Sequence, residues 1–313
     1  MNMTFGKLMK SVGSALMYFG IYLAWQFITV LAATFVITTL MSFNAGFDMA
    51  AQMMQSGDEY SYEQAFNAAM ENSMSIITQA SEWILDHTVH LTIVAGVLTL
   101  LTYLLIFLIR KKNPLKEVGI AKMPVLPCFG LVFLGAALNI AISFLLPLIP
   151  FPEAWWNAHA AQTELIMGAT WWITLMLTAL IAPLLEEVVF RGLVHTRLKK
   201  GMPMLAAMII SSWLFGVMHG TLIAFIYAAL LGFLLAWVFE KYKSLLAPML
   251  VHFGFNLCAM GLDELESLPT LACVAAAVVS VIGIALIQMS AKGKIEVSFP
   301  KQLPPVNSAD SDK

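Results

Sequence analysis

Charge is scarce in this chain. Asp, Glu, Lys and Arg make up 12% of its 313 residues, while hydrophobic residues make up 60%. A soluble domain carries about twice that share of charge. Mean hydropathy is correspondingly high, at +0.82. So little charge excludes a water-soluble enzyme, and so much apolar content excludes a disordered chain. With 17 basic against 19 acidic residues, there is no basic surface for nucleic acid either. Cysteine is nearly missing: Cys128, Cys258 and Cys273 are too few, in too apolar a context, for a disulfide framework or a cysteine-built zinc site. No H-E-x-x-H sequence, glycine-rich phosphate loop or internal repeat is present.

What remains is long apolar stretches. A membrane-crossing helix needs about 20 apolar residues, and eight stretches qualify: 12–42, 88–109, 125–150, 166–198, 203–220, 221–239, 245–261 and 270–290. They predict an all-α polytopic membrane bundle of about eight transmembrane helices, a single integral membrane domain over 1–294. The first stretch opens with Lys7 and Lys10 like a signal peptide, but it is too long and no small-residue cleavage site follows, so it reads as a retained helix.

The connections alternate in charge. Lys7 and Lys10 precede the first stretch; Arg110, Lys111, Lys112, Lys116 and Lys122 follow the second. Arg197, Lys199 and Lys200 follow the fourth, Lys241 and Lys243 the sixth, Lys292 and Lys294 the eighth. Connections 43–87, 151–165 and 262–269 contain no Lys or Arg, and carry acids such as Asp48, Glu63, Glu82, Glu153 and Asp263. Lys and Arg concentrate on the cytoplasmic side, so both termini are expected there. Residues 43–87 are expected to form a partly helical extracytoplasmic acidic segment, a spacer over the bundle or a lid. Residues 295–313 are polar, with Pro300, Pro304 and Pro305, and read as a disordered cytoplasmic tail.

A charge near the bilayer centre costs roughly 2.5–3.5 kcal/mol on insertion scales. Such residues are confined here to three spans: Glu186, Glu187 and Arg191 in the fourth, His219 in the fifth and His252 in the seventh. Asn256 follows His252 by one turn on the same face. These groups are expected to face a shared interior. With the outer boundary of span four at Trp171 and Trp172, Glu186, His252 and Asn256 lie near mid-membrane. His219 is left roughly 9 Å towards the outer side at 1.5 Å per residue, so convergence requires a tilt or a short fifth helix. Pro183, just before Glu186, is a candidate kink.

Glu186 and His219 are suited to bind and deprotonate a water. His252 and Asn256, at i and i+4, are placed to donate to one developing oxyanion. Arg191 can pair with Glu187 on the same helix, which leaves Glu186 as the unneutralised carboxylate. Peptide-bond hydrolysis fits, and the spacing alone fits other hydrolyses. The structural alternatives are an ion-pair cluster of Glu186, Glu187 and Arg191, an inner-leaflet anchor in Arg191, and helix–helix hydrogen bonds from the histidines.

The sequences EEVVFR at 186–191, FGVMH at 215–219 and HFGFN at 252–256 resemble, in order and interval, the three motifs of the CPBP intramembrane proteases (CAAX proteases and bacteriocin-processing enzymes, the Abi family). The resemblance covers a core over residues 166–261. It implies a glutamate-dependent intramembrane endopeptidase in which Glu186 and His219 activate water and His252 and Asn256 stabilise the tetrahedral intermediate. Glu187 and Arg191 would support them. The family's older metal version would place zinc on Glu186, His219 and His252; the metal-free version is the expectation here. Implied partners are the lipid bilayer and a membrane-associated peptide or protein: a CAAX protein, a bacteriocin precursor or a leader peptide.

Other residues read as structural. His195 is expected at the cytoplasmic interface, and His87, His90 and His159 are expected to be interfacial. Phe215 reads as packing, and Ala228, Gly232 and Ala236 as a small-residue stripe for close helix contact. Asn139 is expected to make an interhelical hydrogen bond. The 20 Met residues are scattered, without the clustering of a copper route. The rival functions are a non-catalytic regulator or immunity protein of the same fold, and a proton-coupled transporter using the buried carboxylates.

Overall fold

The computed structural model describes residues 4–56, 62–167, 170–261 and 269–290. The tail at 295–313 and the acids Asp58, Glu59, Asp263, Glu264 and Glu266 lie outside the described residues.

Helix α1 (Phe5–Ser56) runs unbroken for 52 residues, roughly 78 Å at 1.5 Å per residue. A hydrocarbon core of about 30 Å uses less than half of that. The helix was expected to end near residue 42. It continues because 43–56 has no proline and is rich in Ala, Met and Gln, which favour helix. Helix α2 (Tyr62–Asp86) returns along it, and α3 (Thr88–Ile109) follows after a break at His87 alone. Trp25 Nε1 donates to Thr102 Oγ1 at 2.9 Å, and the Tyr18 and Tyr103 rings meet edge-on at 5.5 Å. The acidic segment 43–87 is therefore helical over its described residues except His87, forming the end of α1 and all of α2, which pack as an antiparallel pair. Ala80 is its buried contact, while Phe66, Met70, Met74 and Ile77 are exposed.

A one-turn helix α4 (Pro114–Val118), capped by the Asn113 side chain, leads into α5 (Val125–Leu145), and α6 (Glu153–Met167) follows. Helix α7 (Trp171–Leu198) is the hub, with Val189, Phe190, Leu193 and Val194 wholly buried. Against it pack α8 (Met204–Val217), α9 (Leu222–Tyr242) and α10 (Leu246–Ala259), while α11 (Thr270–Ser290) packs on α5. Among the described residues, six helices are long and apolar enough to cross a membrane, and α8 and α10 are shorter apolar helices. Together these eight match the eight apolar stretches of the sequence, in a polytopic helical bundle.

The two short helices position the site. Each has 14 residues, roughly 21 Å, well under the bilayer's thickness. Helix α8 stops at Val217, so His219 lies in the turn before α9, inside the span that the apolar stretch 203–220 suggested. Helix α10 is clamped to α5 through glycines. A Cβ on Gly254 would stand 2.1 Å from Val132 O, and one on Gly135 would stand 1.9 Å from Val251 O. Only hydrogen fits at this crossing.

His195 is wholly buried and bonds Glu240 of α9 at 2.8 Å, a carboxylate that also takes Lys199 and Lys243. One expectation is corrected. Asn139 is buried, but its Oδ1 has no hydrogen-bond partner, so the expected interhelical bond is not made there.

Candidate active site

Helix α7 departs from regular α geometry on both sides of the glutamate pair. Residues Leu175–Ile181 and Val188–His195 are π-helical, and Ala182–Glu187 between them is α-helical. Such wide turns free main-chain groups. Ala182 N–H reaches back five residues to Leu177 O, and the next residue, Pro183, has no N–H to continue the pattern. Thr178 O is thereby left without a helical donor. Asn256 Nδ2 supplies one, at 2.7 Å. The proline foreseen as a kink thus creates the acceptor that tethers a residue of another helix.

The adjacent glutamates have different surroundings. Glu187 is wholly buried; its Oε1 accepts from Arg191 Nη1 at 2.8 Å and from His252 Nδ1 at 3.0 Å, while its Oε2 has no partner. Glu186 keeps 21% of its side chain exposed and stands 3.7 Å, Oε2 to Nε2, from His252. One carboxylate is neutralised and dry; the other is open and faces an imidazole edge. His252 therefore bridges both.

Phe215 holds this cluster together, more than a packing residue would. The Arg191 guanidinium lies 4.3 Å above its ring, and the rings of His219 and His252 meet it edge-on at 4.6 and 5.7 Å. A cation over the electron-rich face and ring edges against it are the favourable geometries for an aromatic. Arg191 Nη2 also donates to Gly232 O at 2.9 Å, and a Cβ on Gly232 would stand 3.0 Å from both Nη2 and Phe215 Cδ1. The small-residue stripe on α9 thus makes room for a guanidinium as well as a helix.

His219 Nδ1 is 2.9 Å from Phe215 O. A carbonyl only accepts, so Nδ1 carries the proton and Nε2 is left for other partners. His219 lies within electrostatic range of Glu186, as do Tyr22 and Tyr227. Beside this cluster, Gln162 of α6 donates from Nε2 to His219 O at 2.8 Å and accepts from Thr221 Oγ1 at 3.2 Å. His159 of the same helix meets the Tyr227 ring at 5.9 Å, and burial holds its imidazole below the usual histidine range.

Arg191, His219 and His252 are thus gathered around one aromatic ring, Glu187 is bonded to Arg191 and His252, Glu186 stands beside His252, and Asn256 is fixed one turn from His252. The donor of Asn256 is engaged by Thr178 O and Nδ1 of His252 by Glu187, so neither points wholly into free space as the i, i+4 spacing suggested. Among the described residues, no group of three His, Cys, Asp or Glu side chains is arranged to hold a metal ion, so Glu186, His219 and His252 are not preassembled as a zinc site. Thr178 and Gln162 escape sequence reasoning, as does the acceptor role of Gly232: two act through main-chain carbonyls, and Gln162 is one amide in a polar connection.

Residues 168–258, which carry all three motifs, match the family described as Type II CAAX prenyl endopeptidase Rce1-like. The resemblance to the CPBP proteases holds over this core. A 100-residue stretch is also 27% identical to a Bacillus subtilis (strain 168) protein named "Putative membrane peptidase YdiL", covering 31% of this chain and 41% of that protein. The match therefore spans about two fifths of that relative's length. No solved structure matches the chain. The Rce1-like core comprises α7 to α10, the helices that assemble the cluster. With its apolar helices it makes this an integral, multi-pass membrane protein.

Proposed function

We propose that the protein is an intramembrane endopeptidase that hydrolyses a peptide bond of a membrane-associated peptide or protein. The observation that carries this reading is the unequal treatment of the two glutamates: Glu187 is neutralised by Arg191 and His252, and Glu186 is left open beside His252 Nε2. A water held by Glu186 and the free Nε2 of His219 gives its proton to Glu186 as its oxygen attacks the scissile carbonyl carbon. The carbonyl oxygen takes the negative charge and is met by the second N–H of Asn256 and by His252, which as an imidazolium donates from Nε2 while its Nδ1 donates to Glu187. Glu186 then passes the proton to the leaving nitrogen as the C–N bond breaks, releasing a carboxylic acid and an amine, which become carboxylate and ammonium by proton transfer. Glu187 and Arg191 are positioning residues, since they act through His252 and Phe215. Each of these steps uses side chains of this protein.

The substrate is drawn from the kinds that the resemblance brings: a CAAX protein, a bacteriocin precursor or a leader peptide. The basic connections face the cytoplasm, with both termini there, following the positive-inside rule. The test is comparative mass spectrometry of membrane and secreted peptides from cells carrying the wild type or Glu186→Ala. At least one peptide bond should be cut only in the wild type. Identical peptide sets, with both proteins inserted and folded, would overturn the reading in favour of a non-catalytic regulator. Proton-coupled flux lost in Glu186→Gln, without any cleavage product, would establish a transporter instead.

A further inference from the structure

Away from this cluster, at the basic end of the bundle, a cavity of about 320 Å³ opens between the start of α1, the end of α3, α4 and the end of α7. Six cations line it: Lys7, Lys10, Arg110, Lys112, Arg197 and Lys200. The one carboxylate in its wall is Glu117, already shared between Lys112 at 3.1 Å and Arg197 at 2.7 Å. Among the described residues, Lys7, Lys10, Arg110 and Lys200 have no carboxylate partner. Four like charges around one hollow repel each other unless an anion enters it. The Lys200 ammonium is held below the usual lysine range by burial and by neighbouring Arg197, as expected where positive charge is in excess.

The walls are fixed before any ligand arrives. Ser11 Oγ bonds Leu198 O at 2.9 Å, tying α1 to the end of α7. The Tyr18 ring lies 5.3 Å from the Arg197 guanidinium carbon. We propose that this cavity is a binding site for a phosphate-bearing anion at the membrane edge, the class of ligand that clustered lysines and arginines recognise by charge-assisted hydrogen bonds. Two sources carry that group: the headgroup of an anionic phospholipid and a soluble phosphate. The lipid is favoured, because Phe5, Leu108 and Ile109 are exposed at the same helix ends and offer an apolar path for its chains. Arg197 is eleven residues along α7 from Glu186, roughly 16 Å. Occupancy would therefore brace the helix that carries the glutamates without touching them.

The test uses the full chain in nanodiscs of phosphatidylcholine doped with phosphatidylglycerol, with retained lipid counted by native mass spectrometry. A parallel arm follows thermal unfolding in detergent with inorganic phosphate against chloride at equal ionic strength. The variant is Lys10→Gln with Lys200→Gln. The control is Lys122→Gln with Lys241→Gln, which removes two cations from the basic connections outside the cavity. Each cavity cation removed should lower the preference for phosphatidylglycerol about five-fold, so about 25-fold for the pair, with the control unchanged and Lys10→Arg restoring part of the loss. Stabilisation by inorganic phosphate that the variant abolishes, without a lipid preference, would keep the phosphate site and assign it to the soluble source. Equal losses in variant and control, or no preference in either arm, would overturn the proposal. Unfolding of each variant in phosphatidylcholine alone separates loss of the site from loss of the fold.

Discussion

His252 Nδ1 and Arg191 Nη1 meet on the same oxygen, Oε1 of Glu187, at 3.0 and 2.8 Å. A cation from the same helix and an imidazole from another thus converge on one buried carboxylate. This junction orients His252 so that its other nitrogen faces Glu186.

The two glutamates should therefore fail differently. Glu186→Gln removes the open base while keeping shape, and is expected to lower cleavage by about 10²–10⁴-fold with little change in thermal unfolding. Glu187→Gln leaves Arg191 charged and unpaired in a dry site, which costs about 3–5 kcal/mol. It should lower the unfolding temperature clearly in the same detergent. Equal stability of the two variants would contradict the assigned roles.

Asn256 has two tasks, and Pro183 allows them to be separated. Asn256→Ala orphans Thr178 O, at about 1–3 kcal/mol, and removes an oxyanion donor worth about 10²–10³-fold in rate. Pro183→Ala supplies the N–H that Thr178 O lacks and so competes with the Asn256 tether. Activity should fall while thermal stability holds or rises. A destabilised but fully active Pro183→Ala would show that the tether has another origin.

Gly254 lies between His252 and Asn256 in sequence but points at α5. Gly254→Ala drives a methyl group against Val132 O and should prevent α10 from seating, seen as loss of folded protein in size-exclusion chromatography. Gly46→Ala, where a Cβ meets nothing within 4 Å, should be neutral or slightly stabilising.

Glu117 supplies a pH signature outside the spans. Burial raises its carboxyl's pKa, but bonds to Lys112 and the charge of Arg197 outweigh this and hold it below the usual carboxylate range. A lowered folded-state value means that its contribution is present above about 4.5 and is lost as pH falls through the folded value. Glu117→Gln should therefore lower the unfolding temperature at neutral pH and converge with the wild type in acid. A difference that grows in acid would reverse the sign.

Much of the site was legible in sequence, because intramembrane charge is costly and so conspicuous. Glu186, Glu187, Arg191, His219 and His252 stand out against apolar spans, and the short fifth helix needed to bring His219 inwards is present as α8. The hairpin of α1 and α2 was less legible, since polar composition at 43–87 signals departure from lipid but not the end of a helix. Burial of His195 was hidden because its partner, Glu240, follows span six where an interfacial carboxylate is unremarkable.

Solvation and helical period act on each segment separately, so composition and spacing alone determined the membrane setting, the helices and the residues too polar to face lipid. Adjacent residues on a helix diverge by about 100°, yet nothing within EEVVFR decides which glutamate the rest of the protein will neutralise. That choice belongs to α8, α9 and α10, through Phe215, Gly232 and His252, because pairing between side chains far apart in the chain exists only once the helices have packed.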